Sequence, residues 1–283
     1  KSGGSKRVMT IGEAAVYSAV RMPATFGAVG AALGYALECA RDTLESVIDV
    51  GAGTGAAALA AAELIFPKRI ICLEREEAMR TVGKELCAAY GGAAARAEWK
   101  CFDITSSGLE ESADLVLSSY MLNELSFDAI AAAVDKMWSA AGKMLLLAEP
   151  GTPAGYEVMR AVRERLIALG AHIAAPCPHV GECPASADDW CHFTCRVARS
   201  RQHKLLKGGD APYEDEKFTY IAASKKPCAP ASARVMRRPR AEKGRVFLRL
   251  CTDKGFEDRL VTAREKDALK AAKKAGWGGG YNY

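Results

Sequence analysis

The sequence of 283 residues has no apolar run long enough to cross a bilayer. The longest one near its N-terminus, residues 28–37, is about half of the ~20 residues a spanning helix needs. It also lacks the export pattern of a charged start, an apolar segment and a small-residue cleavage site. Without that pattern its ten cysteines are not expected to form a disulfide scaffold. No internal repeat is visible. The first residue is Lys1 rather than Met, which points to a trimmed or processed N-terminus.

What is there is ordinary in bulk and uneven in charge. The chain is 49% hydrophobic and 26% charged, as a soluble globular protein is. Residues 1–175 carry a balance of −4 and residues 176–283 one of +9. The excess is densest at Arg234, Arg237, Arg238, Arg240, Lys243 and Arg245. A basic half beside an acidic one points to a polyanion, and these six are the candidate RNA-binding residues. The competing reading is a solvated, lysine-rich surface.

Residues 10–45 read as helical, with a break at Pro23 and a second run over about 24–41. From Ser46 short apolar strands alternate with helices, the pattern of a parallel sheet. Strands are expected at 47–50, 69–73, 99–102, 114–118 and 143–148, with helices at 56–64, 77–90, 127–140 and 156–169. Periodicity then fails between 174 and 207, apart from a helix predicted over 193–201. A strand at 218–223 returns to the sheet. Pro227, Pro230 and Pro239 make 225–240 an exposed basic arm, followed by a strand at 245–250, a basic helix at 266–274 and a Gly-rich tail. The predicted fold is α/β: a Rossmann-like sheet over 46–175, preceded by a helical segment at 1–45. A cysteine-rich insert at 176–210 and a basic C-terminal extension at 211–283 follow.

Chemistry is densest at Asp49-Val50-Gly51-Ala52-Gly53-Thr54-Gly55, between the first strand and its helix. Glycines there let the backbone turn tightly and approach a ligand, and the helix N-terminus offers unpaired N–H groups. The form G-x-G-x-G after an acid differs from the dinucleotide G-x-G-x-x-G and resembles motif I of class I S-adenosylmethionine-dependent methyltransferases. The candidate cofactor residues are Asp49, Gly51, Ala52, Gly53, Thr54 and Gly55. Glu74, ending the second strand, is placed to take the ribose hydroxyls, and Asp103, after the third, the adenine amine. After the fourth strand the sequence reads Ser119-Tyr120-Met121-Leu122-Asn123-Glu124. It lacks the Asn/Asp-Pro-Pro-aromatic motif of enzymes that methylate nucleic-acid amines, and no cysteine pair suits a covalent mechanism. Tyr120, Asn123 and Glu124 are the catalytic candidates; the alternative is that Asn123 and Glu124 cap the next helix.

Cys177, Cys183 and Cys191 are spaced C-x5-C-x7-C among Pro178, His179, Pro184 and Trp190. Structural zinc sites use pairs spaced by two to four residues. Wider spacing, with Pro after two of the cysteines, suits an iron–sulfur cluster better. Cys195, Cys228 and Cys251 are candidates for the fourth ligand, and His179 or His192 if the metal is zinc.

Several of these pieces coincide in one family. Tyr17-Ser18-Ala19-Val20-Arg21-Met22-Pro23-Ala24-Thr25, the 49–55 loop, Ser119–Leu125, Glu149-Pro150-Gly151-Thr152-Pro153 and the 177–193 block together make the sequence resemble the methyltransferase-like assembly factors of the small ribosomal subunit of bacteria and mitochondria. The resemblance implies binding to the small-subunit rRNA, a 4Fe–4S cluster on Cys177, Cys183, Cys191 and Cys251, and work in the bacterial cytoplasm or mitochondrial matrix. It leaves three readings: an assembly factor using the fold as a scaffold, an active rRNA methyltransferase, and a small-molecule methyltransferase with a zinc insert. A monomer that meets the small subunit and other assembly or initiation factors, and no membrane, is expected.

Overall fold

The computed structural model describes residues 9–39, 42–186, 188–199, 204 and 210–282. Parts of the predicted insert (200–203 and 205–209) and of the second helical run (40–41) lie outside them.

The chain opens with α1 (Ile11–Leu37), whose N-terminus is closed by a reciprocal cap between Thr10 and Glu13. Pro23 sits inside α1 and does not end it, contrary to the expected break. A proline within a helix costs about 3 kcal/mol. Here Ala24, Ala28, Val29, Ala32, Leu33 and Ala36 beyond it are all buried, and that contact carries the helix through.

Strands and helices then alternate as β1 (Ser46–Val50), α2 (Ala56–Ile65), β2 (Arg69–Leu73), α3 (Glu77–Tyr90), β3 (Glu98–Lys100), β4 (Ala113–Ser119), α4 (Phe127–Ala140), β5 (Ala141–Pro150), α5 (Pro153–Ala168) and β6 (His172–Ala175). Next come β7 (Phe193–Ala198) and β8 (Tyr213–Ser224). The sheet runs β3-β2-β1-β4-β5-β8-β6, with β7 also paired to β8. Strands β1 to β5 are parallel, and β8 is antiparallel to β5, β6 and β7. That order, with a reversed strand between the fifth and sixth, is the sheet of class I methyltransferases. Side chains alternate between two cores: Val47, Ile70, Leu115 and Leu117 pack toward α1 and α2, while Ile48, Val50, Ile71 and Val116 pack toward α4 and α5.

A second sheet follows, from β9 (Ala233–Val235), β10 (Arg240–Glu242), β11 (Arg245–Thr252), β12 (Gly255–Thr262) and β13 (Gly280–Tyr281). Its order is β10-β11-β9-β13, with β12 beside β11. Helix α6 (Lys266–Lys274) covers one face, burying Leu269 and Ala272 against Val246, Leu248 and Leu250.

Three expectations are corrected. The predicted helix over 193–201 is strand β7, hydrogen-bonded to β8. Its buried residues, Phe193 and Val197, are four apart, a spacing that fits either period. The expected arm at 225–240 contains β9, which is fully buried. The Gly-rich tail returns as β13 to pair with β9. Among the described residues no helix is long and apolar enough to cross a membrane.

Candidate functional site

A cleft of about 430 Å³ opens at the C-terminal ends of β1, β2 and β4, where ligands bind in open α/β sheets. Gly51, Ala52, Gly53 and Thr54 form one wall, Glu74 and Asp103 another, and Tyr17, Met22 and Thr25 of α1 cover a side. Gly51 has φ +71, and a Cβ there would stand 2.8 Å from Met121 Cγ. Gly53 has φ +55 with open space before it, so a side chain there would be strained and would fill the cleft. The Gly53 N–H donates to Glu74 Oε2 at 2.8 Å, and the Glu76 N–H donates to Glu74 Oε1 at 2.8 Å. Glu74 is thus fixed at the rim, and each oxygen keeps a lone pair for a further donor. Asp103 Oδ1 accepts from the Thr105 N–H at 2.9 Å. Asp49 and Gly55 do not line the cleft. Asp49 is wholly buried behind the loop and accepts from the Ala58 N–H at 3.0 Å, bracing α2. Burial pushes its carboxyl up to about 7.

The segment after β4 is held from below. Tyr120 adopts φ +56, unusual for a residue with a side chain. Its hydroxyl donates to Glu216 Oε1 at 3.0 Å, and Arg21 donates to the same oxygen at 3.2 Å. Leu122–Glu124 form a single tight helical turn whose Leu122 N–H donates to Glu149 Oε1 at 2.8 Å. Glu149 is 1% exposed, and burial raises its carboxyl to about 7. Tyr120 and Glu124 border the cleft; Asn123 is exposed and does not. Arg21, Glu149 and Glu216 were not legible as site residues, though Arg21 and Glu149 lie in blocks that carried the family resemblance.

A second cavity lies between the two sheets. Cys177, His179, Cys183 and Cys191 enter it from the segment between β6 and β7, and Cys251 from β11. Arg163 of α5, with Arg234 and Met236 from the β9 segment, complete much of the wall. Arg163 donates to His179 O at 2.9 Å and Gly181 O at 2.7 Å, while its buried Nε has no partner among the described residues. The Tyr156 hydroxyl stands 3.5 Å from Cys183 Sγ. Burial pushes the Cys177 and Cys191 thiols up, and Cys251 to about 12. Cys195 lies elsewhere: its Sγ would be 3.2 Å from a Cβ on Gly27 of α1. Among the described residues no three His, Cys, Asp or Glu side chains close on one point as around a single ion.

The six basic candidates divide. Arg234 is 1% exposed, and it donates from Nε to Pro176 O at 2.8 Å and from Nη1 to Gly278 O at 3.0 Å. It is therefore a wall of the cysteine cavity and not a surface for RNA, a correction that burial alone dictates. Arg237 turns inward to Asp189 and to Met236 O. Arg238, Arg240, Lys243 and Arg245 are exposed on and around the β10–β11 hairpin.

A family model described as "Mitochondrial small ribosomal subunit Rsm22" matches residues 12–282. The chain belongs to the Rsm22 family. A relative of this Rsm22-family protein is the human "Ribosome assembly protein METTL17, mitochondrial", 25% identical over 299 residues. The match covers 95% of this chain and 62% of that relative's length. Among solved structures it is similar to magnesium protoporphyrin IX methyltransferase (ChlM) of Synechocystis with bound SAH (TM-score 0.46, 16% identity, covering 79% of this chain and 90% of that one). The YcgJ protein of Bacillus subtilis is similar too (TM-score 0.46, 13% identity, 70% and 98% covered). In this Rsm22-family fold, Gly51, Ala52, Gly53, Thr54, Glu74 and Asp103 share one cleft, and Cys177, Cys183, Cys191 and Cys251 share one cavity.

Proposed function

We propose that this protein is an assembly factor of the small ribosomal subunit, with S-adenosylmethionine in its cleft and a 4Fe–4S cluster on Cys177, Cys183, Cys191 and Cys251. The names of the family and of the human relative support the ribosomal part. The observation that carries the rest is the meeting of four cysteines, one of them from the second sheet, in a single cavity.

The residues present fit a cluster. The donors are four thiols, and they do not crowd one point as the ligands of a single zinc must at about 2.3 Å. Arg163 and Arg234 stand in the same wall, where guanidinium groups offset the charge of thiolates, and Arg163 Nε is an orphaned donor that a sulfur could satisfy. When bound, the cluster supplies a crosslink between the two sheets and a one-electron redox centre. In the cleft, the Gly51–Thr54 backbone receives the methionine end of the cofactor, Glu74 takes the ribose hydroxyls and Asp103 the adenine amine. The exposed Arg238, Arg240, Lys243 and Arg245 meet rRNA phosphates.

The scaffold reading is favoured over an active methyltransferase by the segment after β4. Tyr120 commits its hydroxyl to Glu216, and Asn123 stands outside the cleft, so neither presents a group to hold a methyl acceptor. This reading assigns the protein to the compartment where small subunits assemble, the mitochondrial matrix or the bacterial cytoplasm.

Anaerobically purified protein is expected to be brown, with about four iron and four sulfide per chain. A colourless protein with one zinc per chain overturns the cluster. Methylation mapping of small-subunit rRNA from cells with and without the protein is expected to show no lost mark, together with a deficit of mature subunits. A single lost methyl group would instead favour the enzyme.

A further inference from the structure

One face of the second sheet is not used by its core. On β11, Val246, Leu248 and Leu250 point toward α6, so Arg245, Phe247, Arg249 and Cys251 share the opposite face. The register sets Phe247 between Arg240 on β10 and Leu260 on β12, Arg249 opposite Asp258, and Cys251 opposite Phe256. At the Cys251 end this face closes over the cysteine cavity, which Phe256 also lines. At the other end it is open. Leu260 is 46% exposed, Phe247 is half-buried, and the guanidinium groups of Arg240 and Arg245 lie 4.2 and 5.5 Å from the Phe247 ring centre.

We propose that this open end, centred on Phe247, is a stacking platform for unpaired bases of RNA; the proposal rests on the rRNA-binding reading above and gives it a substrate class. Charge selects the polymer. Between Arg237 and Arg249 the sequence has six Lys or Arg and one acid, Glu242. Glu242 pairs with Arg240 at 3.5 Å and Arg245 at 2.6 Å, and exposed pairs of this kind are worth about 0–1 kcal/mol, so a phosphate can displace them. The aromatic and aliphatic members select the strand. Phosphate binding alone needs only cations, and a duplex hides its base faces within its own stack. An exposed Phe flanked by guanidinium planes and a Leu offers apolar and π surface that only splayed bases can use.

The platform also gives the cysteine cavity a mechanical purpose. Phe247 and Cys251 are four residues apart on one strand, roughly 13 Å. Arg249 lies between them, bonded to Asp258 at 2.9 Å and paired with Asp189 of the cysteine segment at 3.6 Å. A group held by the four cysteines therefore fixes the orientation of the platform relative to the large sheet.

The test uses the full chain and a labelled single-stranded RNA of roughly 12 nucleotides, free or annealed to its complement, with fluorescence anisotropy across a salt series. Phe247→Ala is expected to weaken single-strand binding roughly 5- to 100-fold, with an unchanged salt slope and little effect on the duplex. Phe247→Tyr is expected to restore binding. The double variant Arg240→Gln/Arg245→Gln is expected to lower the salt slope by roughly 1.4. If Phe247→Ala binds as the parent does while the arginine variant is weakened, stacking is overturned and RNA binding stands. If the parent binds neither RNA, both readings fall. If Phe247→Ala binds RNA normally but no longer joins assembling subunits, the face docks on a protein and the proposal is overturned.

Discussion

The cleft at the ends of β1, β2 and β4 takes most of one wall from four consecutive residues, Gly51 to Thr54, whose backbone faces the space. The cysteine cavity draws its four thiols from the segment between β6 and β7 and from β11, which the large and small sheets bring together. The first site is a property of one strand–turn–helix unit; the second exists only once two sheets have docked. A local site tolerates damage elsewhere in the chain. A docked site couples the stability of everything that meets in it.

Breaking the docked site should therefore have the largest effect. Cys251→Ser is expected to remove bound iron and lower the melting temperature by on the order of 10 °C, while Cys195→Ser, against α1, keeps iron. Metal analysis and thermal unfolding of the two variants side by side would show it, and equal iron loss in both would sink the distinction. Next comes Arg234→Gln, which leaves Pro176 O and Gly278 O without their donor in a buried site. We expect a loss of about 2–5 kcal/mol in urea unfolding, with S-adenosylmethionine binding in the cleft unchanged.

The cleft has its own signature in pH. Glu149 is raised from 4.5 to about 7 in the fold by burial, so the folded state holds a proton that the unfolded state has lost. Stability should fall as pH rises from about 4.5 to about 7 and level off above, by on the order of 3 kcal/mol from this group. Asp49 adds a fall of the same sign, between 3.8 and about 7. Glu149→Gln keeps an acceptor for the Leu122 N–H and removes the charge, so its stability curve over this window should be flatter than the parent's. A curve of the same slope would show that Glu149 is not protonated in the fold. A smaller effect is expected of Gly51→Ala, about 1–3 kcal/mol from the positive φ and the contact with Met121, accompanied by weaker binding of S-adenosylmethionine in calorimetry. Smallest of all is Arg240→Gln, 69% exposed, which should change stability by less than about 0.5 kcal/mol. The contrast between Arg234 and Arg240, six residues apart, isolates burial from charge.

The alternation of strands and helices from Ser46 to Ala168 was legible because each strand is a short, nearly continuous apolar run buried on both faces, and each helix is bounded by a turn. The second sheet was not. Its β9 is three residues long, contains an arginine and lies among prolines, so local pattern reads it as an arm. Phe193 and Val197 could not be told from a helical pair until β8 supplied hydrogen bonds to β7. Arg234 looked like surface charge because nothing local reveals that carbonyls of Pro176 and Gly278 await it.

By itself, the sequence determined the Rossmann-like half and the loop at Gly51, Gly53 and Gly55, since strand periodicity and positive φ are local demands that residue types answer directly. Only the tertiary structure decided that Cys251 shares a cavity with Cys177, Cys183 and Cys191, that Arg234 is interior, and that Phe247 faces outward between arginines. Those are consequences of which faces two sheets bury against each other, and that choice depends on contacts between residues far apart in the chain.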